Sequence, residues 1–314
     1  MMTPSPRKTP LWVAPLGVIL AIAAIWFGPR PDWVDSFATL AYDVWEGVVE
    51  YLQYAVGAFV LAWIVLHPVL KRRMLARRRW PRLPQVAREI LFSVATQVVF
   101  LATAIWLFWT DSMGAANMYT VVADYGVLYF GLTVFMVLVL HDTAFYWTHR
   151  MMHHPVLFER VHRVHHESVD PTPFTAYSFH PLEAIVEQVS FVWAVTVVAL
   201  IMPWHPAAIA VGSTLQLIFN VIAHLGYEIY PRGWHRLPVL RWKTPATHHY
   251  MHHQRVGGNY GLYFRWWDRI CGTEFRDYEA RYDQQFATTD RSPRLDEQAQ
   301  LRQSVRVGKR VDNG

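Results

Sequence analysis

The sequence predicts an all-α integral membrane protein with about four transmembrane helices, a membrane hairpin and a cytoplasmic helical cap that carries histidine motifs. The chain of 314 residues is 53% apolar and only 17% charged, which is too apolar for an ordinary soluble domain of this length. Apolar runs long enough to cross a bilayer, about 20 residues each, recur along it. Clusters of histidine follow the ends of these runs.

Six apolar runs account for the predicted membrane helices. The first could be a cleaved signal peptide with Arg7 and Lys8 as its basic region, but no small-residue cleavage site precedes a soluble domain, so we favour an anchor. The last two are separated only by Pro203-Trp204-His205-Pro206 and form the hairpin, which either crosses twice or dips in and returns. The runs are Leu11–Gly28, Val49–Leu70, Ile90–Trp109, Val121–Leu140, Ala184–Met202 and Ala207–Ala223.

Loop charge predicts the orientation, because basic loops stay cytoplasmic. The segment between the second and third runs is strongly basic, whereas the loop between the first and second carries five acidic residues against Arg30. Histidine-rich segments begin at His141 and His224, where runs return to the basic side, so we expect them in the cytoplasm. Between two spans the basic stretch fits contact with anionic lipid heads better than nucleic acid. Its members are Lys71, Arg72, Arg73, Arg77, Arg78, Arg79, Arg82 and Arg88.

The most specific feature is a histidine pattern that occurs twice. Positions i, i+3 and i+4 of a helix fall within an arc of about 100°, so each copy is predicted to converge three imidazoles on one point. A shuffled chain of this composition would hold roughly 0.04 copies of such a pattern. The copies are His162-x-x-His165-His166 and His249-x-x-His252-His253, with His149-x-x-x-His153-His154 upstream.

This many imidazoles predict a site for two metal ions, since a structural zinc site needs four ligands and a catalytic one three. Imidazole ligation without thiolate or a carboxylate cluster fits two irons that bind and reduce O2. Hydrolytic zinc is the alternative, and zinc could replace iron in a preparation, but the HExxH helix is missing. The single cysteine, Cys271, excludes a disulfide framework and a cysteine-ligated iron–sulfur cluster within the chain, and fits a small buried side chain.

The region from about His141 to Glu274 resembles the fatty acid hydroxylase and sterol desaturase superfamily of membrane di-iron oxygenases. The stretch Pro171-Thr172-Pro173-Phe174 before Ser178-Phe179-His180-Pro181 is similar to its C-5 sterol desaturase branch. The motifs that carry the resemblance are Asp142-x-x-x-Tyr146-Trp147-x-His149-Arg150-x-x-His153-His154, His162-Arg163-Val164-His165-His166, Phe179-His180-Pro181-Leu182-Glu183, His249-Tyr250-Met251-His252-His253, Asn259-Tyr260-Gly261, Trp267-Asp268-Arg269 and Gly272-Thr273.

The resemblance implies a set of metal ligands and several residues around them. The implied ligands are His149, His153, His162, His165, His166, His224, His249, His252 and His253. His154 and His248 are alternates to their neighbours, and Glu228 stands where some relatives have a further histidine, so a carboxylate substitutes or the site has one imidazole fewer. We expect His141 and His180 to support the site or line its pocket, and Asp142 to fix the tautomer of an imidazole from outside.

These observations together predict a membrane-bound oxygenase that hydroxylates or desaturates a sterol-like or fatty acyl lipid held in an apolar slot between spans. No dinucleotide, flavin or cytochrome motif is present, so we expect an external electron donor, a reductase with a ferredoxin or cytochrome. A histidine-rich metal-binding protein or metal transporter is the competing class, disfavoured because the spans are nearly free of ionisable residues. The expected regions are 1–120, membrane helices with the basic loop; 121–277, the oxygenase core; and 278–314, a mobile polar tail.

Overall fold

The computed structural model describes residues 8–27, 37–78, 80–109 and 117–286, and every regular element in these ranges is a helix. The long helices are α1 (Val13–Phe27), α2 (Phe37–Phe59, continued by a wider π-helical turn at Val60–Val65), α3 (Leu83–Trp109), α4 (Gly126–Met152), α5 (Pro181–Ile201) and α6 (Pro206–Ala223). A shorter helix, α7 (Ala246–Gln254), carries the last histidine motif. The predicted all-α class is confirmed.

Five of these helices are long and apolar enough to cross a membrane, and they form a bundle in which α4 packs on the α5–α6 pair and α3 packs on α1 and α5. The chain is therefore a multi-pass membrane protein. Of the first predicted span, residues Val13–Phe27 form α1, and Gly28 lies outside the described residues. The 15 residues of α1 extend over about 22 Å.

The hairpin crosses the bundle completely. Both of its helices begin with a histidine and a proline, and His180 and His205 each accept a backbone N–H of the first turn through Nδ1. At the turn, the N–H of Trp204 donates to the carbonyl of Asn117 at 3.0 Å, just before α4 begins. The hairpin tip thus reaches the end of the bundle opposite the histidine motifs, which favours two crossings over a dip and return.

The basic segment and the histidine motifs lie at the same end of the bundle, which we call the histidine end. The N–H of Glu228 donates to the carbonyl of Arg73 at 2.9 Å, and Arg88 pairs with Glu167 at 2.6 Å. Two independent signals in the sequence, loop charge and histidine spacing, therefore refer to one face of the protein.

The polar region predicted to start at residue 278 begins later than expected. Residues Tyr278–Gln284 form a short helix whose Tyr278 and Tyr282 are buried against Met251 of α7. Aromatic side chains in an otherwise polar stretch attach it to the region that carries the histidine motifs. Residues 287–314 of the predicted tail lie outside the described residues.

Candidate metal centre

Nine histidine rings converge at the histidine end in two adjoining groups. In each group the ring nitrogens that could hold a metal ion lie within 4.8 Å of one another. Every histidine predicted as a ligand lies in one of them. The five-ring group contains His149, His153, His162, His166 and His252, and the four-ring group contains His165, His224, His249 and His253.

The repeated motif does not converge on one point, as the spacing had suggested, but is divided between the groups. In the second motif the i and i+4 rings, His162 and His166, join the five-ring group and His165 joins the four-ring group. In the third motif the i and i+4 rings, His249 and His253, join the four-ring group, and His252 at i+3 joins the five-ring group. The reason is helical geometry. Side chains at i and i+4 point in directions about 40° apart around the helix axis, whereas those at i+3 and i+4 point about 100° apart.

In the five-ring group, backbone carbonyls fix the proton positions of two rings. Nδ1 of His149 and Nδ1 of His252 lie 2.8 Å from the carbonyl oxygens of Tyr260 and Gly258. Because a carbonyl only accepts hydrogen bonds, each Nδ1 carries the proton and each Nε2 keeps its lone pair. These Nε2 atoms face the interior of the group, where that of His149 is 3.0 Å from Nε2 of His162.

In the four-ring group, too, Nδ1 atoms donate to backbone carbonyls. Nδ1 of His224 donates to its own helix at the carbonyl of Asn220, 2.8 Å away, and Nδ1 of His253 donates to the carbonyl of Ser168 at 3.0 Å. Their Nε2 atoms are 3.2 Å apart. Lone pairs facing one another at this distance repel unless a cation lies between them, so the residues of both groups fit a metal ion.

Glu183 is the functional residue that sequence reasoning missed. Its Oε1 lies 2.6 Å from Nδ1 of His162, and its side chain has no exposure to solvent. A carboxylate in this position orients the ring and increases the electron density that the opposite nitrogen offers to a metal. The signal was present, since Glu183 ends the His180-Pro181-Leu182-Glu183 run that carries the resemblance, and its place on the first turn of α5 brings it beside the second motif.

Asp268 holds the loop whose carbonyls orient the five-ring group. Its two carboxylate oxygens accept the N–H groups of Tyr260 at 2.8 Å and Gly261 at 2.7 Å. Gly261 is required by close packing, because a Cβ atom there would meet the carbonyl oxygen of Phe264 at 2.3 Å. The Asn259-Tyr260-Gly261 and Trp267-Asp268-Arg269 motifs thus act as one support.

The three alternate ligands lie outside both groups. His154 is exposed and begins the turn after α4. His248 is fully buried but points to the other side of α7, with Nε2 3.7 Å from Asp268. Both oxygens of Glu228 accept hydrogen bonds elsewhere, from the N–H of Tyr230 and from the N–H and hydroxyl of Thr247.

The predicted supporting residues act on the backbone more than on the rings. Asp142 accepts the N–H groups of Tyr263 and Phe264 at 2.7 and 3.2 Å instead of contacting His149. Nδ1 of His141 lies 2.9 Å from the hydroxyl of Tyr263. His180, half-buried, caps α5. The carboxylate contact expected from Asp142 is therefore not made, and among the described residues it is Glu183 that contacts a ring of the two groups.

Burial lowers the pKa of the rings that lie beyond the membrane-spanning segments. The pKa values of His224 and His252 fall to about 4, and those of His165, His166, His249 and His253 fall well below their ordinary value. Removal from water disfavours the charged imidazolium, and the neighbouring rings repel a further positive charge. At neutral pH the rings are therefore neutral and able to coordinate.

Acid is expected to destabilise the metal-free protein. Between a pKa of about 6.5 for histidine in the unfolded chain and about 4 for His224 and His252 in the fold, the unfolded state binds more protons, so the free energy of unfolding decreases as pH falls. Thermal unfolding of chelator-treated protein in detergent at pH 7.5 and pH 5 should show a lower midpoint at pH 5. The His154→Ala variant, which changes an exposed ring, should follow the native protein. A midpoint independent of pH would contradict the neutral, buried state of the rings.

A cavity of about 140 Å³ lies inside the bundle between α2, α3, α4, α5 and α6. A gap of about 10 Å³ separates it from the rings, and Phe145, Phe179, Glu187 and Asn220 line both spaces. The slot expected at this place was apolar, but half of the residues that line the cavity have polar side chains. The sequence did not reveal this because single polar residues on separate helices barely change the hydropathy of each run.

Comparison with known proteins gives several relatives whose names refer to sterols. Lathosterol oxidase of Mus musculus is 29% identical over 60% of this chain and 61% of its own length. The Delta(7)-sterol 5(6)-desaturase erg3B of Aspergillus fumigatus is 26% identical over 90% of this chain and 78% of its own. Methylsterol monooxygenase 1 of Rattus norvegicus is 33% identical over 43% and 44%. The chain thus spans about three fifths of the lathosterol oxidase, and no solved structure matches it.

The family model for fatty acid hydroxylase matches residues 134–273. This segment begins within α4 and ends beside Asp268, so it contains both ring groups and the loops that orient them. The relatives include sterol 5(6)-desaturases, as the Pro171–Pro181 region had indicated. Residues 134–273, which carry both ring groups, thus match the fatty acid hydroxylase family, and the sterol-enzyme relatives support the resemblance to its sterol desaturase branch.

Proposed function

We propose that this protein is a membrane-bound, non-haem di-iron oxygenase that uses O2 and external electrons to hydroxylate or desaturate a lipid. The observation that carries the proposal is the pair of imidazole groups, with inward lone pairs, next to a cavity inside the bundle. The five-ring group exceeds the four ligands of tetrahedral zinc, which favours iron. Bound iron would supply the reduction of O2 and the removal of hydrogen from an unactivated C–H bond.

The residues of the chain would hold and isolate the reacting groups. The carbonyls of Tyr260 and Gly258 and the carboxylate of Glu183 keep the rings in one tautomer. Phe145 and Phe179 separate the rings from the cavity, which would position the lipid. Hydroxylation consumes one O2, two electrons and two protons and gives one water; desaturation consumes the same and gives two waters.

The sterol-related names of the relatives support a sterol-like substrate. The exposed basic side chains Lys71, Arg72, Arg77 and Arg78 at the histidine end support docking of an acidic electron donor. The proposal is tested by supplying membranes that contain the protein with a reductase, a sterol and ¹⁸O2. Product that carries ¹⁸O, or that has lost two hydrogens, supports it. No oxidised lipid from iron-loaded, reduced protein across sterol and fatty acyl substrates would refute it.

The histidine end is expected to face the cytoplasm, since the basic segment lies there. In a Cys271→Ser background, cysteine at His154 marks the histidine end and cysteine at Val121 marks the opposite end. In intact cells a membrane-impermeant maleimide should label Val121→Cys and leave His154→Cys unlabelled until the cells are lysed. The opposite labelling would reverse the proposed orientation.

A further inference from the structure

Four polar side chains face one another inside the membrane bundle without belonging to the ring groups. Gln97 lies on α3, Glu187 and Gln188 lie on α5, and Gln216 lies on α6, and all four line the cavity. Each lies several residues inside a helix that is long and apolar enough to cross a membrane. Polar and ionisable residues are costly there and usually mark a path or site for a ligand.

Packing between helices explains only some of the polar groups around the cavity. The hydroxyl of Tyr177 donates to Gln216 at 2.7 Å, and Nδ2 of Asn220 donates to the carbonyl of Ala176 at 2.8 Å. These bonds join neighbouring elements and need no ligand. They use one oxygen of Gln216 and the amide nitrogen of Asn220.

Other polar atoms around the cavity remain unused. Nε2 of Gln97, Oδ1 of Asn220 and Nε2 of His141 are buried without a hydrogen-bond partner. Glu187 is 7% exposed, and its carboxylate has no hydrogen bond to another described residue. Buried polar atoms are normally satisfied, so donors and acceptors left over around one cavity indicate a polar occupant.

The place of Glu187 connects this polar cavity to the ring groups. It follows Glu183 by one helical turn, and it lines both the cavity and the gap beside His149 and His162. A group bonded to Glu187 would therefore have its neighbouring carbon atoms close to the rings. The cavity is also small, because about 150 Å³ holds a molecule of the size of benzene, so it accepts one end of a lipid and leaves the rest among the helices.

We propose, on the basis of the proposed function, that the cavity binds the hydroxyl-bearing end of a lipid, with Glu187 as hydrogen-bond acceptor and Gln97 as donor. The carbon that is oxidised then lies within a few bonds of that hydroxyl. Hydrocarbons and acyl chains that react at mid-chain lack a partner for these groups. Glu187 and Gln97 are positioning residues that determine substrate specificity.

The test compares ligands that differ only in the hydroxyl. Binding of 5α-cholestan-3β-ol and 5α-cholestane, and of octadecan-1-ol and octadecane, is measured by competition on metal-loaded protein in nanodiscs. We expect at least one alcohol to bind about tenfold more tightly than its hydrocarbon. Glu187→Leu and Gln97→Leu should reduce that ratio to about twofold or less, and Glu187→Gln, which keeps an acceptor, should retain more of it.

Ser190→Ala is the matched control, because Ser190 lies on α5 one turn beyond Glu187 and bonds Thr148 outside the cavity. It should keep the native preference for the alcohol, and metal content should be unchanged in every variant. Should Glu187→Leu fail to fold, Gln97→Leu on α3 carries the test. Equal binding of alcohol and hydrocarbon in both pairs, or a preference that survives Gln97→Leu, would overturn the inference.

Lipid oxidation by the native protein is measured separately with ¹⁸O2. Oxidation without a hydroxyl preference refutes this inference and leaves the proposed function intact. A hydroxyl preference without any oxidation refutes the proposed function and leaves the binding site.

Discussion

Replacing His165 and His252 together with alanine is expected to reduce bound metal from about two ions per polypeptide to nearly none. Each substitution removes one ring from a different group, His165 from the four-ring group and His252 from the five-ring group. Metal affinity depends on the number of preformed ligands. Elemental analysis of protein purified without a polyhistidine tag measures the result.

The single variants separate the two groups. His165→Ala should lower the metal content by about one ion. The loss should be greater than in His252→Ala, because the four-ring group has fewer ligands than the five-ring group. His154→Ala is the matched control: it removes an exposed histidine of the first motif that lies outside both groups, and it should keep the native content. One zinc per chain, unaffected by any of these changes, would contradict the proposed di-iron centre.

Replacing Glu183 with alanine is expected to weaken metal binding about 10- to 100-fold, as is usual when a carboxylate partner of a ligand is lost. Nδ1 of His162 would lose its only acceptor among the described residues, 2.6 Å away, and the ring could then rotate or change tautomer. Glu183→Gln keeps an oxygen in place, so its loss should be smaller. Competition with a chelator of known affinity measures the difference.

Glu159→Gln provides the control, since Glu159 is mostly exposed and, among the described residues, pairs with Arg163 on the surface. Its metal affinity should equal that of the native protein. Native affinity in Glu183→Ala would show that the carboxylate does not support the ring. Unfolding of the variant would be recognised by a lowered thermal midpoint of the chelator-treated protein.

The sequence by itself determined the membrane fold, the family resemblance and the nine histidines that come together. Apolar runs, loop charge and the spacing of histidines are local or periodic signals, so they are visible in the sequence without coordinates. The order of the apolar runs also predicts that His224, which stands alone after the hairpin, lies at the same end as the motifs, and the structure places its ring in the four-ring group.

Only the tertiary structure decided how the rings are divided, what holds them and what lies beside them. The two HxxHH motifs exchange their i+3 rings between the groups because of how their helices face each other. The groups that fix the rings are backbone carbonyls, such as that of Gly258, and one carboxylate from α5. The polar cavity combines Gln97, Glu187 and Gln216 from three helices. Contacts between residues distant in sequence leave no periodic trace, which is the physical reason that they appear only in the folded chain.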